Sequence, residues 1–64
     1  MTDLYSMSHL AIAVALASLT AETEQVDEGR AAGYKQALVA FKETGELPAD
    51  VAKDLTAYLE GQAA

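Results

Sequence analysis

Leu10-Ala11-Ile12-Ala13-Val14-Ala15-Leu16-Ala17-Ser18-Leu19 is apolar at every position but Ser18. Alanine alternates at 11, 13, 15 and 17, which imitates the period of a strand. It is a poor strand former and the best helix former, so the stretch reads as a helix. A helix that is apolar all round must be covered all round, by the chain's own core, by a partner chain or by lipid. The remaining residues are read by how much of that cover they supply.

The chain has 64 residues, enough for one domain and no second core. A domain of this size buries only about 60% of the surface its unfolded chain exposes, which leaves stability marginal. Disulfides, a metal or oligomerisation usually make up the difference. There is no cysteine, so disulfides and thiolate metal sites are excluded. His9 is the single histidine and cannot build a zinc site alone. No cofactor and no metal are expected. Association with a second copy, or with another protein, is the support that remains.

Ten acidic residues against four basic ones give a net charge of −6. Phosphate backbones would repel such a chain, so direct nucleic-acid binding is not expected. Anionic membrane surfaces are disfavoured for the same reason. Basic protein surfaces are the partners this charge favours. The apolar run is about half the ~20 residues a spanning helix needs, so no membrane anchor is expected. Ala15-Leu16-Ala17 resembles a leader-cleavage site, but the residues before it hold Asp3 and no Lys or Arg. Without a positive leading segment the reading is cytoplasmic.

Along the chain, Thr2, Asp3, Ser6 and Ser8 are candidate caps for the first helix. Tyr5, His9, Ile12, Leu16 and Leu19 then follow a helical rhythm, with Leu10, Val14 and Ala17 on a neighbouring stripe beside Met7. Thr20 to Gln25 turns polar. Thr20 capping a new helix, with Glu22 in its first turn, favours a break near 20–22. The lack of Gly or Pro before Glu28 favours one continuous helix. The second helix shows Val26, Gly33, Ala37, Ala40 and Phe41 on one face, flanked by Tyr34 and Leu38. Gly29 and Gly33, each costing about 0.5–1 kcal/mol against alanine, imply a close helix contact or a bend. Gly45 ends this helix and Pro48 suits the first position of the next. Val51, Leu55, Tyr58 and Leu59 give the third helix an apolar stripe, and Gly61 closes it. The predicted helices are 3–19, 22–44 and 48–60.

The candidate binding residues follow from chemistry. Glu22, Glu24, Asp27 and Glu28 form an acidic group fit to meet a basic partner or to imitate a nucleic acid. Tyr34 and Tyr58 combine apolar area with a polar tip, as interface anchors do. Ile12, Ala13, Leu16, Gly33 and Ala37 are the expected dimer interface, small or aliphatic and helically spaced. His9 reads as a packed histidine that could make an interface pH-sensitive. Ala37 to Leu59 has a helix-turn-helix outline, yet its second helix presents Asp50, Lys53, Asp54 and Glu60, a net negative set that DNA would repel. No phosphate loop and no nucleophile–base arrangement occurs, so no catalytic residue is named.

The expected fold is all-α, a small helical hairpin or three-helix unit completed as a multi-helix bundle by a homodimer. The expected function is a small acidic non-catalytic module for protein–protein interaction: an adaptor, inhibitor or regulatory subunit. Size and charge are compatible with a compact inhibitor of the kind phages carry. The alternative is a nucleic-acid mimic that inhibits a DNA-binding protein through its acidic face.

Overall fold

Ser8 opens the first long helix. The computed structural model describes residues 4–63, without the side chains of Tyr5 and Ala63. A 3-10 turn, Leu4–Ser6, precedes α1 (His9–Glu24), α2 (Glu28–Thr44) and α3 (Ala49–Ala63), and no strand occurs among the described residues. The Ser8 hydroxyl accepts the Ala11 N–H at 3.1 Å, and its carbonyl accepts that of Ile12 at 3.0 Å. A serine cap satisfies donors the helix itself cannot. So α1 starts at 9 and not at 3. Of the other candidate caps, Thr2 and Asp3 lie outside the described residues, as does the side chain of Tyr5 on the expected stripe.

The break expected near 20–22 does not occur there. Thr20 is buried inside α1, and its hydroxyl donates to the Leu16 carbonyl at 2.7 Å. A threonine satisfied by the preceding turn has no need to cap a new helix. Nor are the first two helices continuous. The Thr23 carbonyl accepts from both Val26 and Asp27, at 2.9 and 2.7 Å, and ends α1. Asp27 then takes an extended conformation (φ −150°, ψ 94°) and caps α2 by accepting the Arg30 N–H at 3.1 Å. Glu28 in the first turn suits the positive end of the helix dipole.

Gly45 ends α2 as expected, in the left-handed conformation (φ 78°), with its N–H on the Phe41 carbonyl at 2.7 Å. Pro48 stands one residue ahead of its expected place, its carbonyl accepting the Ala52 N–H at 2.9 Å. Gly61 does not close α3, which runs on to Ala63. Ala64 lies outside the described residues.

The short Gln25–Asp27 link folds α1 and α2 into an antiparallel hairpin. His9 meets Phe41 at its open end, and Glu24 pairs with Lys35 near its closed end. α3 lies across the hairpin: its Asp54 reaches Tyr34 on α2 and its Tyr58 reaches Glu22 on α1. The core consists of Leu16, Leu19, Tyr34, Ala37, Val51 and Leu55, with Leu4, Ile12, Leu38, Leu47, Tyr58 and Leu59 packed at its margin. Leu16 and Leu55 have no exposed surface at all. Each contributes about 1.5–3 kcal/mol by leaving water.

The buried face of α2 is Ala31, Tyr34, Ala37 and Phe41, rotated from the one expected. Gly33 and Ala40 are exposed, and Val26 sits in the link, 89% exposed. A side chain outside the helix cannot share its face. A methyl group at Gly33 would meet nothing within 4 Å, and at Gly29 only the Asp27 carboxylate at 3.5 Å. Close helix contact within the chain therefore does not explain these two glycines.

Candidate functional site

Among the described residues, the chain covers only one side of α1. Ala13, Leu16, Leu19 and Thr20 are buried, while Leu10 and Val14, one turn apart, remain 73% and 58% exposed. Ala17, Ser18 and Ala21 are exposed with them. At 100° per residue these five share one side of the helix, about 130° round from the middle of the buried face. The stripe bears no charge from residue 10 to residue 21.

Beside that stripe runs a groove of about 500 Å³ between α1 and the C-terminal half of α3. Its floor is Ala11, Ala15 and Ser18, small residues at helical spacing. Leu10 and Val14 form one wall; Tyr58, Leu59 and Gln62 form the other. On that second wall the Tyr58 hydroxyl donates to the Glu22 carboxylate, which lies outside the groove, and accepts the Gln62 amide N–H at 2.8 Å. The bond to Glu22 is the main cause that raises the Tyr58 pKa above 10, since ionising the phenol would set two anions together.

The expected binding residues are dispersed. Tyr34 is buried, with its hydroxyl on the Asp54 carboxylate at 2.7 Å, so its ring is not offered to a partner. Burial first, and the Asp54 bond second, push its pKa up. Tyr58 is half-buried and borders the groove. The acids collect around the closed end of the hairpin, but three of them serve the fold: Glu22 holds Tyr58, Glu24 pairs with Lys35, and Asp27 caps α2. Of the expected dimer residues, Leu16, Ala13 and Ala37 are buried within one chain and Ile12 is half-buried. A second chain cannot reach Leu16 without opening the core. Gly33 is exposed on another groove, of about 590 Å³, between α2 and α3. The stripe that does face outward is Leu10, Val14 and Ala17. The sequence shows it as the second of two apolar stripes on α1, and one hairpin partner can cover only one.

His9 is exposed rather than in the core, but it packs against one neighbour. Its ring stacks on Phe41 at 4.1 Å, and Nε2 lies 3.2 Å from the Phe41 carbonyl. A carbonyl can only accept, so Nε2 carries the hydrogen. That oxygen also takes the Gly45 N–H. One atom thus ties the start of α1 to the end of α2.

Among the described residues no three His, Asp or Glu side chains gather where they could hold a metal ion, and no helix is long and apolar enough to cross a membrane. A third groove, of about 680 Å³, opens among Leu4, Ile12, Phe41 and Leu47, with Lys53 and Thr56 on its lining. Comparison with known protein families, curated proteins and solved structures finds no match for this chain.

Proposed function

We propose that the chain is a small, acidic, non-catalytic interaction module that acts as an adaptor, inhibitor or regulatory subunit. It holds a partner protein on the bare face of α1. The observation that carries this reading is the pair Leu10 and Val14, exposed side by side above an apolar groove. Single exposed aliphatics are ordinary on protein surfaces, whereas contiguous ones that border a groove mark interaction sites. The acidic group takes second place, because Glu22, Glu24 and Asp27 already have partners inside the fold.

A second copy is the other occupant favoured by an observation. The uncharged run from residue 10 to residue 21 lets two such stripes meet without opposed like charges, and the pair would form a bundle of four or more helices. Sedimentation at micromolar concentration separates the two cases by mass.

The double variant Leu10→Lys, Val14→Lys tests the face itself. Both side chains lie outside the core, so stability should stay within about 0.5 kcal/mol of the parent, as for ordinary surface changes. With the parent chain as bait, a partner should be retained in stoichiometric amount; with the variant it should be lost. Equal retention by both baits removes this face from the reading.

A further inference from the structure

We propose that the groove between α1 and α3 takes a partner's amphipathic helix, apolar along one face and basic at one end. This inference rests on the interaction reading above and supplies the chemistry of the partner.

The first argument is shape. From Ser8 to Ser18 the groove follows α1 for ten residues, about 15 Å at 1.5 Å per residue, or nearly three helical turns. A floor of Ala11, Ala15 and Ser18 lets another helix backbone approach closely. Aliphatic side chains at i, i+3 or i+4, and i+7 on the incoming helix would lie between the two apolar walls, as in other helix-in-groove complexes.

The second argument is charge. No Lys or Arg occurs before Arg30. The groove lining on α1 ends at Ser18; one turn further on stands Glu22, held by Tyr58, and beyond it around the link lie Asp27, Glu28 and Glu24, the last paired with Lys35. A helix lying along the groove would therefore meet a neutral apolar floor and then a concentration of carboxylates. Basic residues at one end of that helix complement them and speed encounter. A second copy would instead bring a charge of −6 against −6. The balance of charge favours the basic helix over the copy.

The test uses the full chain and two synthetic 16-residue amphipathic peptides. They share one leucine face and differ only in carrying four lysines or four glutamates at one end. Titration is followed by backbone amide shifts. The lysine peptide should perturb Leu10, Ala11, Val14, Ala15 and Leu59, and should bind at least tenfold more tightly than the glutamate peptide at low salt. That preference should shrink as salt is raised. The Leu10→Lys, Val14→Lys variant, checked for unchanged helix content, should lose the perturbation. Equal binding of the two peptides, or perturbation centred on the α2–α3 groove at Gly33, overturns the inference. So does a stable dimer of the parent chain that occupies these same residues. If partner retention still depends on Leu10 and Val14 while the peptides bind alike, the basic helix fails and the interaction reading stands. If retention does not depend on them, the interaction reading itself fails.

Discussion

At Gly33 the backbone is helical, the position is exposed, and an added methyl group has open space around it. Gly33→Ala should therefore stabilise the chain by about 0.5–1 kcal/mol, chiefly by restricting the unfolded state. A domain this small would melt roughly 4–8 °C higher per kcal/mol, which calorimetry resolves. Gly45→Ala should do the opposite, because φ 78° costs an alanine about 1–2 kcal/mol. Asp27→Ala removes the cap of α2 and should cost about 1 kcal/mol in urea unfolding. Tyr34 adds a pH dependence. Its pKa is raised above 10 in the folded chain, so its contribution is complete below pH 10 and is lost as the pH rises through the folded value. Stability should be flat approaching pH 10 and fall above it, and Tyr34→Phe should flatten part of that fall. Gly45 was legible in advance because a left-handed end needs a particular residue. Gly33 is not legible in the same way, because an absent side chain does not reveal what stands opposite it.

The helices differ in how openly their roles are written. Val51, Leu55, Tyr58 and Leu59 form one stripe among polar neighbours, so the inward face of α3 could be read directly. α1 is apolar on two sides, and nothing in its composition says which side the hairpin takes. The link was placed too early for a similar reason. Thr20 resembles a cap in sequence, but its hydroxyl is turned back onto Leu16 within the helix. The signal for the true start of α2 was Asp27 followed by an acidic first turn. As for the candidate groove, residue type alone singles out Tyr58 on its wall, while Leu10 and Val14 become distinctive only once the covered side of α1 is known. Element packing also sets the largest expected loss. Leu55 is wholly buried between α3 and the hairpin, and Leu55→Ala should cost about 2–5 kcal/mol. A domain of this length has only about 3–10 kcal/mol in total. Circular dichroism should therefore show the Leu55→Ala chain melting far earlier, or largely unfolded at 37 °C, whereas Val26→Ser in the exposed link should change little.

At the scale of the whole molecule, a charge of −6 is spread over a body of 30 × 29 × 18 Å. The screening length is about 30 Å at 0.01 M salt and about 10 Å at 0.1 M, so added salt should relieve repulsion across the entire fold. The exposed Lys35–Glu24 pair would weaken, but such pairs contribute only about 0–1 kcal/mol. The melting midpoint should accordingly rise between 10 and 500 mM NaCl; a fall would mean that specific ion pairs outweigh the net charge. Mass action on this body also depends on how its parts separate. α1 and α2 share the more extensive packing, while α3 is fastened to α1 less broadly. Amide exchange should then be fastest in α3, as in a unit that opens before the rest. Since Tyr58, Leu59 and Gln62 on α3 form one wall of the groove, any occupant touching both walls acts as a rivet. Its arrival would slow exchange not only where it touches but along α3 as far as Val51. The groove would thus convert an encounter at one edge into a stiffening of the entire third helix.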